Sequence, residues 1–209
     1  MELNNRTLAR FSNYSMEVIN KNGISKNILS TIYKNSGELQ TIIKNKYMPS
    51  ENYKIELWPK LIEQIIEKHD KQPVIFIDYL KKLVTKKRAA DERMRIDEIV
   101  KKLDDVAKKY DLPVFAISEL NRESYRGGQS ISMASLKESG ELEYGASWLG
   151  ILASFEEKNG EYRVIKNWQS AMRCSGNIDL VILKTKRGTG EVSQVPLNIN
   201  TKKMTVVER

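Results

Sequence analysis

The chain has 209 residues, 40% hydrophobic and 30% charged, and carries a formal charge of +8. That length suffices for one sizeable core, no apolar run is long enough to span a bilayer, and the N-terminus lacks the basic-then-apolar layout of a signal peptide. The single cysteine, Cys174, excludes an intrachain disulfide and suits a reducing cytoplasm, while a pI near 9.4 favours a polyanionic partner such as nucleic acid.

Residues 1 to 72 read as mainly helical. Leu8, Phe11, Ser15 and Val18 recur at helical spacing, and Ile28, Leu29 and Ile32 do so in a shorter run. A looser polar region with Gly37 and Pro49 follows, and then Leu57, Leu61, Ile65 and Ile66 mark another amphipathic helix. The run from Pro73 to Leu80 predicts a strand buried on both faces, as inside a parallel sheet. Asp78 closes it and so delivers a carboxylate to the sheet's C-terminal edge, where open α/β sheets bind ligands. There it can orient a water on Mg²⁺ or hold the ion through a neighbouring ligand. A turn cap is the alternative role.

Residues 81 to 92 form a charged connection that includes Lys86, Lys87 and Arg88, has little apolar content and is expected to be mobile. From Asp91 the spacing predicts a helix whose apolar stripe is Ile96, Ile99, Val100, Leu103, Val106, Ala107 and Tyr110. Pro113 ends it, and Val114 to Ile117 reads as a second buried strand finishing at Ser118 and Glu119. Strand, roughly thirty residues and strand is the spacing of a parallel crossover, so Asp78 and Glu119 are expected on one sheet edge. Beyond a polar loop, the segments 148–155, 162–165, 180–183, 192–199 and 204–207 alternate as strands do. Asn159-Gly160 supplies a hairpin turn between the first two. Repeats are absent and no domain boundary stands out, so residues 1–209 read as one unit.

Four segments, in order, carry a resemblance. They are Val74-Ile75-Phe76-Ile77-Asp78-Tyr79-Leu80, then Asp111-Leu112-Pro113-Val114 through Ser118-Glu119-Leu120-Asn121-Arg122, then Leu136-Lys137-Glu138-Ser139-Gly140-Glu141-Leu142-Glu143, and Lys184-Thr185-Lys186-Arg187-Gly188-Thr189-Gly190. Together they resemble the C-terminal motor domain of replicative DNA helicases of the bacterial DnaB type. The implied fold is the RecA-like (P-loop NTPase) α/β sheet with flanking helices. The first strand and its phosphate-binding loop, Gly-x-x-x-x-Gly-Lys-Ser/Thr, are expected to be missing, since the sequence contains no Gly-Lys dipeptide. Met1-Glu2-Leu3 resembles the Ser-Leu-Glu-Met motif that follows the next strand, so the chain reads as a shortened motor domain.

The resemblance also implies roles. Glu2 is the nearest match to the glutamate that polarises the attacking water. Asp78 corresponds to the Mg²⁺-associated acid, and Glu119 to a phosphate-sensing position usually held by Gln, where a carboxylate meets the phosphate's negative charge unfavourably. Lys137, Glu138 and Gly140 match positions that hold single-stranded DNA. Lys184, Lys186 and Arg187 match the segment that reaches a neighbouring subunit's nucleotide, with Lys186 or Arg187 as the finger. Ser147 stands where the family commonly has Asp. Implied cofactors are ATP and Mg²⁺ in the intact protein, with none expected on these residues alone. Implied partners are single-stranded DNA and further copies in a hexameric ring, with no membrane. A non-catalytic DNA-binding or ring-interaction protein, and a recombinase relative, are the alternatives. His69 reads as a surface residue, and no Cys/His grouping suggests zinc.

Overall fold

A computed structural model describes residues 30, 37–47, 54–86, 91–119, 140–158, 161–165, 176–186, 193–202 and 205–208. The helical runs expected before residue 30, Glu2, Lys137, Glu138, Arg187 and the Asn159-Gly160 turn lie outside them.

The first half is organised on a parallel strand pair. β1 (Ile75–Ile77) and β2 (Val114–Ala116) align Ile75 with Val114 and Ile77 with Ala116. Between them in sequence runs a 19-residue helix, here α3 (Glu92–Tyr110), preceded by α1 (Gly37–Asn45) and α2 (Trp58–His69). Local chemistry sets the boundaries of α3. Asp91 is its N-cap, its carboxylate accepting the Met94 N–H at 2.7 Å. The helix stops at Asp111, a left-handed residue (φ 49°) whose N–H returns to the Ala107 carbonyl. Its predicted stripe is the observed one: Ile96, Ile99, Val100, Leu103 and Val106 are buried, packed with Ile55, Ile77 and Leu80 or, towards the C-terminus, with Ile62 and Leu112. α2 begins with Pro59 in its first turn and ends at left-handed Asp70. Its inward anchor is Ile62, whereas Leu57, expected on the apolar stripe, precedes the helix and is exposed.

Three expectations need correction. The two parallel strands are buried on one face only. Pleating sends Ile75 and Ile77 towards α3 and Phe76 to the other side, where Phe76 is 76% and Phe115 52% exposed. The two rings stack at 5.1 Å. The polar stretch after Gly37 contains α1, because no helix breaker interrupts Gly37–Asn45 and Leu, Gln, Ile and Lys all favour the state. The charged connection is held in place as far as Lys86. Leu80–Lys82 is a single 3₁₀ turn, Val84 bridges Lys54, and the Val84 carbonyl accepts the Ile55 N–H at 3.0 Å.

The second half is antiparallel. β3 (Trp148–Ala153), β6 (Gly176–Thr185), β7 (Ser193–Asn200) and β8 (Thr205–Glu208) form a sheet in the order β3-β6-β7-β8. β4 (Phe155–Lys158) and β5 (Glu161–Val164) form a separate hairpin. The strand expected over 148–155 is therefore two. The chain breaks at Ser154, whose hydroxyl donates to the Asn177 carbonyl at 2.8 Å, and the Phe155 N–H turns to the buried Asp179 carboxylate at 3.4 Å. Ile151, Ala153, Phe155, Val164 and Val181 fill the core beneath. Gly150 sits at a bulge opposite β6, and a Cβ there would lie 2.5 Å from the Trp148 ring.

One half-buried ion pair ties the first half together. Glu56 accepts from Lys102 Nζ at 2.5 Å and from the Lys86 N–H at 3.0 Å, and Lys102 also reaches Glu98 at 2.8 Å. Burial pushes the Glu56 carboxyl up, but hydrogen bonds from Lys102, from the Lys86 N–H and from its own N–H outweigh it and hold the pKa down to about 2. A depressed carboxylate stabilises the fold fully above its ordinary pKa of 4.5 and loses that contribution as pH falls towards 2. After allowance for solvent screening, the contribution is on the order of 1–2 kcal/mol. Urea unfolding of the parent and Glu56→Gln should differ by that amount at pH 7 and converge near pH 2.5. A constant difference across that window would assign the loss to packing.

Candidate functional site

The edge that β1 and β2 share carries the first group of candidates. The Ile117 N–H donates to the Ile77 carbonyl at 3.0 Å and the Leu80 N–H to the Ile117 carbonyl at 2.9 Å, so the two strand ends leave the sheet joined. Asp78 and Glu119 follow directly and are both exposed at the C-terminal end of the pair, as the crossover spacing predicts. Glu119 does not stand as an unopposed negative charge. Lys81 Nζ lies 3.1 Å from its Oε2, which leaves a near-neutral pair beside Asp78. Behind this edge Arg95 of α3 donates to the carbonyls of Lys81 at 3.1 Å and Leu83 at 2.5 Å, and to Glu92. Its planar fork suits this, reaching several acceptors at once.

A second group forms where β6 ends. α4 (Gly140–Gly145) is described from Gly140 onward. The Lys184 ammonium donates to the carbonyls of Glu143 at 2.6 Å and Tyr144 at 3.2 Å, and the Lys186 ammonium to Gly145 at 3.0 Å. The Lys186 N–H adds a bond to the Ser147 carbonyl at 2.8 Å. The carbonyls of Glu143, Tyr144 and Gly145 belong to the last turn of a helix and lack intrahelical donors, which is why cations settle there.

The sequence-predicted residues thus gather as Asp78 with Glu119, and as Lys184 with Lys186 on the C-terminal carbonyls of the helix that Gly140 begins. Lys81 and Arg95 were not anticipated. Arg95 could have been suspected as an arginine on the otherwise buried side of α3, two residues after Arg93. Lys81 carried no signal, since its partner lies 38 residues away. His69 lies in the last turn of α2 and is exposed. Among the described residues no cluster of three His, Cys, Asp or Glu could hold a metal. A hydrated ion such as Mg²⁺ fits the Asp78 edge only if phosphates or water supply its other ligands, which is the usual coordination of that ion. No described helix is long and apolar enough to cross a membrane.

Comparison with known proteins bears on the family and the fold. The family model for the DnaB-like helicase C terminal domain matches residues 1–208. A probable plasmid replicative DNA helicase of Chlamydia psittaci is 24% identical over 204 residues, covering 96% of this chain and 41% of that protein. The replicative DNA helicase DnaB of Mycobacterium leprae is 35% identical over 74 residues, covering 35% of this chain and 12% of that protein. Among solved structures, one ATPase domain superposes with a TM-score of 0.75 at 19% identity, covering 100% of this chain and 70% of that one. A DnaB-like replicative helicase studied with primase gives 0.74 at 20% identity, covering 99% and 48%. The chain spans about two fifths of the Chlamydia psittaci relative. The fold is the RecA-like α/β fold of these ATPase domains, and the chain belongs to the DnaB-like helicase C-terminal domain family.

Proposed function

We propose that this chain supplies the DNA-contacting and nucleotide-facing surfaces of a replicative helicase motor that works as a ring on single-stranded DNA. The observation that carries this reading is the joined β1–β2 edge, where Asp78 and the Lys81–Glu119 pair stand together beyond the ends of parallel strands. In it, ATP lies between neighbouring subunits and Asp78 holds Mg²⁺ through water. When bound, the ion would supply neutralisation of phosphate charge, with Asp78 as the residue that would hold it. The Lys81–Glu119 pair takes the place of a neutral amide as the phosphate-sensing element, Lys81 offsetting the repulsion that a lone carboxylate would exert. Glu2 polarises the attacking water, and Lys137, Glu138 and Gly140 hold the strand.

A second reading is a DNA-binding or ring-interaction subunit without ATP turnover of its own. Glu119 at the phosphate-sensing position favours it, since a carboxylate there opposes the phosphate's negative charge except as far as Lys81 offsets it. Both readings require binding to single strands. Fluorescence anisotropy with a labelled oligothymidine is expected to show weak binding that falls steeply with salt. Absence of binding at low salt, or binding indifferent to salt, contradicts both.

A further inference from the structure

The two lysines that match the trans-acting segment are engaged within their own chain. Lys184 takes the carbonyls of Glu143 and Tyr144, and Lys186 takes that of Gly145. Two further contacts fix α4 from its other side. Leu142 packs against the core that α3 dominates, and Lys101 of α3 pairs with Glu141 at 3.3 Å. Gly145 also lies against Val100, where an added Cβ would come within 3.4 Å. The six described residues of α4 are too few to be stable as an isolated helix, so these contacts determine where it sits.

We propose that Lys184 and Lys186 are positioning residues for the DNA-contacting segment, clamping α4 by its C-terminal carbonyls and thereby fixing Gly140 at its start. This deepens the single-strand-binding reading above and rests on it. The clamp makes a specific demand on the salt dependence of binding. An ammonium held on backbone carbonyls displaces no counterion from DNA, whereas one held on a phosphate displaces about one. Loss of Lys184 should therefore lower affinity without flattening the salt slope.

The test uses the full chain with Lys184→Met, which keeps the stem and loses the donors, and Lys184→Arg, which keeps donors and charge. Amide hydrogen exchange of peptides covering residues 140–147 reads the clamp, and anisotropy with labelled oligothymidine over a salt series reads the binding. Lys184→Met is expected to exchange about tenfold faster there and to bind about three- to tenfold more weakly, as loss of a charge-assisted hydrogen bond implies. Its salt slope should match the parent's, and Lys184→Arg should recover most of both losses. A slope reduced by about one unit would put Lys184 on DNA directly and overturn the proposal. Faster exchange with unchanged affinity would overturn it too, leaving a purely structural cap. Unchanged exchange would remove the clamp itself, whatever the binding. If the parent chain fails to bind the oligonucleotide, the DNA reading falls and takes the proposal with it, and the exchange result then reports on the cap alone.

Discussion

Ile99→Ala is expected to lower the unfolding free energy by about 3–4 kcal/mol, the usual cost of emptying a fully buried isoleucine site. Ile99 is 0% exposed and belongs to the cluster that joins α3 to Ile55, Ile77 and Leu80. The lost transfer energy and the residual cavity act in the same direction, and the better helix propensity of alanine offsets only about half a kcal/mol. Met94 on the same helix is 56% exposed, and Met94→Ala should stay within about 0.5 kcal/mol of the parent. Equilibrium urea unfolding of the two variants measures both. Similar losses in the two would mean that α3 does not present the Ile99 face to the core.

Arg95→Ala is expected to cost about 2–3 kcal/mol and to loosen the turn after Asp78. Two carbonyls of that turn, those of Lys81 and Leu83, receive the guanidinium, and the contacts are partly shielded from water. Removing the donor leaves both carbonyls to find water in a place with limited access. The same turn carries Lys81, so the change should also release Lys81 from its fixed approach to Glu119. Arg95→Lys should restore little, because a single ammonium cannot reach both carbonyls and Glu92 in one plane. Hydrogen exchange of peptides covering residues 78–84, compared with those from α2, reads the loosening. Uniform acceleration in both would indicate global destabilisation instead of a local staple.

How much of this was legible in the sequence depended on whether the cause was local. α3 could be read almost residue by residue, because its N-cap Asp91, its apolar stripe and its stop before Pro113 all lie within the segment itself. The parallel crossover followed from strand spacing, and it correctly brought Asp78 and Glu119 to one edge. The open face of that strand pair was not legible. Phe76 and Phe115 look like core residues in a continuous apolar run, and only the arrangement of neighbouring elements decides that their side is exposed. The split of the strand at Ser154 depended on Asn177 and Asp179, more than twenty residues later. The site shows the same division. The family resemblance named Lys184 and Lys186, but that their ammonium groups rest on the carbonyls of α4 depends on a helix some forty residues earlier.

The central claim is that the segment entering α4 holds single-stranded DNA, and a matched pair of lysine variants tests it most directly. Lys137→Ala and Lys87→Ala each remove one positive charge, so the +8 net charge of the chain affects both alike. Anisotropy titrations with a labelled oligonucleotide over a salt series should show Lys137→Ala binding more weakly to every base sequence, with its salt slope reduced by about one counterion. Lys87→Ala, in the charged connection before α3, should change affinity less. Equal losses in the two variants would contradict the assignment and leave only general basicity to explain the binding.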